Sequence, residues 1–220
     1  MTVTSESPLP RADPFRFMGA AAVGLVVFAF AWALLHGGPF DDVRIIDTPV
    51  YETYGDAMVR GEVPYRDFSL EYPPGALPVF LIPEAGSERS YAGLFEALMF
   101  LLGAVTVALV ALTLASAGAS DPLLCGGVLL TSVTPLLLGP LLLSRFDLWP
   151  AALVAAALAA LVLERMRLGL GLLGAAVAVK IYPLVLLPLG ILYVWRRRGR
   201  REALLCLGVF ALVVVAIVGP

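Results

Sequence analysis

LGLGLLGAAVAVKIYPLVLLPLGILYVW, residues 168–195, carries one charge, Lys180, with twelve uncharged residues before it and fifteen after. How this stretch meets a membrane decides the fold. One helical crossing takes about 20 residues, so two would exceed the 28 present. The stretch is therefore either a short hairpin with Lys180 near its tip or a single crossing with a lysine buried midway. Pro183 and Pro188 favour the hairpin, because proline removes a helical N–H donor and breaks the helix. Broken helices are tolerated at membrane depth where they line protein rather than face lipid. A single crossing would demand an extra span upstream. Only residues 72–83 could supply it, and that segment is short and holds four prolines.

The rest of the chain agrees with a membrane setting. Of its 220 residues 60% are hydrophobic, and the mean hydropathy is +0.92; ordinary globular domains are about 45–50% apolar. Further apolar runs lie at 17–35, 91–116, 123–143, 148–163 and 203–219. With both arms of the hairpin they make about seven membrane segments, an all-α polytopic fold. The first run is too long for a signal-peptide core and reads as an uncleaved anchor. Residues 1–16 form a polar tail, and 17–220 form one transmembrane domain. Arginines in short loops face the cytoplasm. Arg165 and Arg167, and the basic loop 196–202, therefore lie inside together with the N-terminus. Alternation then puts the loop 36–90 outside. Cys125 and Cys206 sit in apolar runs and suggest no disulfide framework. The lone histidine, His36, comes with no cysteine cluster, so no metal or cofactor is expected. No nucleic-acid partner is expected either; membrane lipids are.

The outer loop is long, and long loops are functional or disordered. This one carries ten acids against four arginines, with Tyr51, Tyr54, Tyr65, Phe68, Tyr72 and Phe80 among them. Asp41, Asp42, Arg44, Ile45, Ile46, Glu88 and Arg89 belong to the same segment. That aromatic content predicts a folded loop. Residues 48–60 read as a short amphipathic helix with Val50, Tyr54, Ala57 and Met58 on one apolar stripe, and Gly61 fits its C′ position. Glu71-Tyr72-Pro73-Pro74-Gly75 reads as a rigid extended-then-turn element.

Three charges fall at membrane depth. Arg145 and Asp147 lie in SRFDLWP, between two apolar runs, and Lys180 lies in AVKIYP. Such groups are functional candidates by default, because an unpaired charge there is costly. A plainer reading stands beside each. Arg145 and Asp147 could form a local ion pair at a helix start, where Asp147 suits the dipole, and Lys180 could snorkel to the interface. Glu96, just inside the second run, is a further acid placed to pair with one of the cations.

The run Asp47-x-x-Val50-Tyr51-x-x-Tyr54-Gly55, then Gly61-x-x-Pro64-Tyr65-Arg66-Asp67-Phe68, then Glu71-Tyr72-Pro73-Pro74-Gly75, resembles the first outer loop of polytopic GT-C glycosyltransferases. With Arg145-Phe146-Asp147, Pro150 and Lys180-Ile181-Tyr182-Pro183 it is most similar to glycosyltransferase family 87, the bacterial polyprenol-phosphate-mannose-dependent mannosyltransferases. The resemblance spans roughly residues 20–200. It implies an inverting transfer of a sugar, mannose first, from a polyprenyl-phosphate-linked donor to a lipid or glycan acceptor at the outer face of a bacterial plasma membrane. It implies a general base at Asp47, with Asp67 and Glu71 as reserves. Substrate contacts would come from Tyr51, Tyr65, Arg66, Tyr72, Arg145, Asp147, Lys180 and Tyr182. Members of that family are usually longer, so the expectation is an N-terminal part, or a reduced form that needs a protein partner. Two other readings stay open: a non-catalytic membrane scaffold, and a transporter or flippase subunit for lipid-linked substrates.

Overall fold

The computed structural model describes residues 14–37, 47–86 and 90–219. The expected tail through residue 13, with Arg11, lies outside them, as do Asp41, Asp42, Arg44, Ile45, Ile46, Glu88 and Arg89. Among the described residues the architecture is all-α. Pro14–Leu34 forms α1, Thr48–Val59 α2, Leu77–Leu81 α3 and Tyr91–Ser116 α4. Asp121–Ser132 is α5, Thr134–Leu138 α6, Leu141–Ser144 α7 and Leu148–Val162 α8. Met166–Val179 is α9, Leu187–Arg198 α10 and Arg200–Val218 α11. Helices α1, α4 and α11 are long and apolar enough to cross a membrane. The chain is an all-α membrane protein.

Local chemistry sets the boundaries. Ser90 opens α4 by accepting the Gly93 N–H at 3.3 Å, the usual N-cap arrangement. Helix α2 closes as foreseen. Gly61 sits at φ 86°, its N–H bonds to the Met58 carbonyl at 3.0 Å, and the Glu62 N–H bonds to that of Ala57 at 3.0 Å. Those two bonds are a Schellman closure. The continuous segment expected at 123–143 is instead broken into α5, α6 and α7. Gly139 adopts φ 63° and ψ −150°, a region only glycine occupies freely, and Pro135 and Pro140 bring no N–H to a helix.

Residues 168–195 turn back on themselves. Helix α9 stops at Lys180, whose backbone is extended at φ −147° and ψ 145°. A 3-10 turn, Tyr182–Leu186, leads into α10. At the far end of α10, Arg198 Nε and Nη2 donate to Glu164 Oε2 at 3.1 and 2.9 Å. Glu164 precedes α9, so the chain has returned to its starting level. With 15 and 14 residues, α8 and α9 are each about 21–23 Å long, less than the roughly 30 Å of a hydrocarbon core.

Helix α9 packs between α8 and α11; α8 also lies on α4, and α1 on α4 and α5. Two apolar cores result. One gathers Phe28, Trp32, Tyr51, Phe80, Phe95, Met99 and Phe146. The other gathers Leu161, Leu170, Leu173, Val194, Cys206 and Phe210. Because α8 and α9 run antiparallel, Asp147 and Lys180 meet at one end of the bundle, and Glu164, Arg167, Arg198 and Glu202 meet at the other.

Candidate functional site

The site is assembled from three chain segments at the Lys180 end. The first is the start of α2. Asp47 is its N-cap residue, yet its side chain makes no capping bond. Its Oδ2 instead lies 3.0 Å from Arg145 Nε. One turn on, Tyr51 is 2% exposed and stacks on Phe80 with ring centroids 4.8 Å apart. The ring also meets Phe95 and the edge of Phe146. These rings come from other segments and rotate α2. Its buried face is therefore Tyr51, Tyr54 and Ala57, while Val50, expected on the apolar stripe, is 47% exposed. Burial pushes the Tyr51 phenol well above its ordinary range, and a hydrogen bond with Tyr72 and the charges of Asp47 and Asp147 push it the same way.

The second segment is Tyr72 to Ala76. Pro73 holds the chain extended before a 3-10 turn, Pro74–Ala76. That turn sits on the last residues of α9. A Cβ on Gly75 would stand 2.6 Å from the Ala178 carbonyl carbon and oxygen, so only glycine fits. Trp149 Nε1 donates to the Gly75 carbonyl at 3.1 Å, tying the turn to α8 as well. The Tyr72 ring meets Phe146 edge-on at 4.7 Å. Tyr65 hooks on from the side: it sits at φ 66° and donates its hydroxyl to the Tyr72 carbonyl at 2.5 Å.

The third segment is Arg145-Phe146-Asp147 with Lys180 facing it. Arg145 is extended, Phe146 is fully buried, and Asp147 is the N-cap of α8 without a side-chain capping bond. Asp147 pairs with Lys180. The Lys180 ammonium lies 4.5 Å from the Phe146 ring centroid and 5.9 Å from that of Tyr72, a cation–π seat. The local Arg145–Asp147 pair considered above therefore does not form. Each of the two takes a partner from a distant segment, because Arg145 is in extended backbone while Asp147 starts a helix. Glu96 is also elsewhere than expected: it pairs with His36 and accepts from Trp32 Nε1 at 3.4 Å.

Asp47, Tyr72, Arg145, Asp147 and Lys180 thus form one layer over a floor of Tyr51, Phe80 and Phe146. Tyr182 follows Lys180 by two residues and is half exposed. Arg66 and Asp67 close a turn of their own. Asp67 accepts from Arg66 Nε and Nη2 at 2.9 and 2.8 Å and from the Val63 N–H at 2.8 Å, and these hold its carboxyl below its ordinary range. Glu71 lies toward α2, where, after burial, its charge helps raise the Tyr54 phenol. Sequence reasoning passed over Gly75 and Trp149 as parts of the site. The signal was present in the rigid Pro-Pro-Gly and in a tryptophan two residues past Asp147. Among the described residues no group of three His, Cys, Asp or Glu side chains is placed to hold a metal ion.

Chemically, the layer offers two cations suited to an anion and two carboxylates able to accept protons. Asp47 and Arg145 are 32% and 45% exposed at their side chains, and an ion pair so accessible is worth only about 0–1 kcal/mol. An incoming anion can therefore take Arg145 from Asp47 at small cost.

Residues 70–220 match glycosyltransferase family 87. No curated protein and no solved structure matches the chain. The matched range includes Tyr72, Arg145, Asp147, Lys180 and Tyr182, whereas Asp47, Tyr51, Tyr65, Arg66 and Asp67 precede it.

Proposed function

The chain belongs to glycosyltransferase family 87, and from that premise we propose that this membrane glycosyltransferase moves a sugar from a polyprenyl-phosphate-linked donor to a lipid or glycan acceptor, inverting at C1. The observation that carries this reading is the meeting of Asp47 with Arg145 and of Asp147 with Lys180 in one accessible layer.

The donor phosphodiester binds at Arg145 and Lys180. Arginine suits it because its planar fork can make two bonds to phosphate. Binding draws Arg145 off Asp47 and leaves that carboxylate unpaired beside the reaction centre. Asp47 then accepts the acceptor hydroxyl proton as the oxygen attacks C1. The bond between C1 and the phosphate oxygen breaks, and its electron pair leaves with the polyprenyl phosphate. The extra negative charge falls on the two cations, so the leaving group needs no proton. Asp147 positions Lys180. Asp67, tied to Arg66 in a turn of its own, and Glu71 are the reserve bases; Tyr72 and Tyr182 border the sugar, Tyr65 holds the Tyr72 backbone, and the buried Tyr51 forms the floor beneath. Mannose is the first sugar to test.

The site end faces outward and the arginine-rich end faces the cytoplasm of a bacterial plasma membrane, following the bias of arginines to the inside. The test is Asp47→Asn in the native cell, with membrane lipids and envelope glycans profiled by mass spectrometry. A general base contributes about 10²–10⁴-fold. One glycoconjugate should therefore disappear and its one-sugar-shorter precursor accumulate, at unchanged protein level. An unchanged profile would sink the role of Asp47 and favour a scaffold.

A further inference from the structure

The opposite end of α8 and α9 has a cavity of about 620 Å³, lined by Glu164, Arg165, Arg167, Arg198 and Glu202 over Met166. We propose that it binds the headgroup of an anionic phospholipid from the leaflet it faces, the phosphate held by Arg165, Arg167 and Arg198. This does not rest on the sugar-transfer reading.

Charge is the first argument. Between residues 164 and 202 this end gathers seven arginines against two glutamates. A basic surplus beside membrane helices draws anionic lipid, and basic pockets between such helices take lipid headgroups.

Orientation is the second. Arg167 Nε and Nη2 donate to the two oxygens of Glu202 at 2.8 and 3.0 Å. Arg198 uses the same edge on Glu164. A guanidinium has five donors, so each glutamate occupies one edge and fixes the plane, while the Nη1 edge is left for another acceptor. Both arginines are more than half exposed at their side chains, 59% and 53%. Arg165 makes no ion pair among the described residues and lines the same cavity. A phosphate can therefore meet two guanidinium groups oriented by glutamates, with Arg165 beside them on the cavity wall.

The backbone at Glu164 is unusual for a residue with a Cβ. It sits at φ 62°, at the C′ position of α8, where the Glu164 and Arg165 N–H groups close the helix onto Leu161 and Ala160 at 3.1 and 2.8 Å. Glycine is the residue that position favours. A glutamate there accepts backbone strain and places a carboxylate against Arg198, which orients that guanidinium at the cavity.

Phosphate chemistry alone would also admit a free phosphate. The lipid is favoured because the wall is apolar at Met166 and Leu168, and exposed Leu204 and Leu205 follow Glu202 along α11, apolar surface for acyl chains.

The test is native mass spectrometry of the purified full protein after exposure to vesicles of phosphatidylglycerol and phosphatidylethanolamine. Arg165→Gln with Arg198→Gln should lower phosphatidylglycerol retention by about tenfold or more, the loss of two charge-assisted contacts. Arg200→Gln with Arg201→Gln, which removes the same charge outside the cavity, should leave it nearly intact. Equal losses in the two pairs would overturn the cavity in favour of a diffuse basic surface. Arg165→Lys with Arg198→Lys keeps charge and topology, so it remains informative if the first pair fails to fold. It should still lower retention several-fold, and full retention would overturn the role of the forks. Millimolar inorganic phosphate should leave the lipid adduct in place; if it displaces the lipid and is itself retained, the occupant is a free anion and the lipid assignment falls.

Discussion

Each end of the α8–α9 pair is pinned by ion pairs between segments far apart in sequence, yet the two ends are built differently. At the Lys180 end the charges are balanced, Asp47 with Arg145 and Asp147 with Lys180, and they lie on buried rings. At the Glu164 end arginines outnumber acids, and among the described residues no aromatic side chain lines the cavity. Accessible ion pairs contribute little to stability in either setting. What differs is what surrounds the pair. Rings and rigid prolines hold the first set of charges at fixed positions, as chemistry requires. The second set is a basic surplus around an open cavity, two of its arginines oriented by glutamates, suited to holding an anion.

The largest effect that should separate the ends is on rate. Lys180→Met removes one of the two cations proposed to face the departing phosphate, and losing one such stabilising group should lower kcat about 10²–10³-fold. Arg201→Met removes a cation of the same charge at the other end, outside the cavity lining, and should leave kcat unchanged. The measurement is transfer of labelled sugar from a polyprenyl-phosphate donor in proteoliposomes, with both variants checked for amount and melting. Similar losses in the two would dissolve the distinction.

Next in size is the seat of the Pro-Pro-Gly turn. Gly75→Ala places a methyl against the Ala178 backbone, which cannot swing aside as a side chain would. Overpacking of this kind costs about 1–3 kcal/mol. The variant should melt lower, and its rate should fall as well, because the same turn carries Tyr72 toward Lys180. Trp149→Phe keeps the ring and removes only the bond to the Gly75 carbonyl, a loss of about 0.5–1.5 kcal/mol. If Gly75→Ala melts like the wild type, the turn is not seated on α9 as described.

That contrast between ends was only partly legible in the sequence. The hairpin was readable because Lys180 and Pro183 interrupt an apolar run too short for two crossings. The limits of α4 and α8 were readable because polar residues and arginines end their apolar runs. The closure of α2 at Gly61 followed from glycine chemistry alone. The division of α5, α6 and α7 was hidden, since Pro135 and Gly139-Pro140 lie in a run from 123 to 143 that carries no charge. The buried face of α2 was hidden for another reason: Phe80, Phe95 and Phe146, which rotate it, lie 29 to 95 residues from Tyr51. The same holds for the pairs. Arg145 and Asp147 are neighbours in the chain, and nothing local says that each turns to a different, distant partner. Charge types were visible in the sequence; their partners depended on how α8, α9 and the outer loop pack.

The smallest expected effect tests the Glu164 end. Glu164→Gly relieves a left-handed backbone, worth about 1–2 kcal/mol for a residue with a Cβ. It also removes the carboxylate that pairs with Arg198 and, at 3.9 Å, with Arg197. Those pairs are partly exposed, so each contributes about 0–1 kcal/mol. The two changes oppose one another, and the net shift should stay within about 1 kcal/mol, read as a small change in melting temperature. Asp47→Asn also breaks an accessible pair and should shift melting just as little. The two variants should then part in function: under the proposed mechanism Asp47→Asn loses transfer and Glu164→Gly keeps it. A fall of several kcal/mol in Glu164→Gly would mean that the arginine end is held together by its ion pairs. The two ends would then differ less in kind than in which of them does the chemistry.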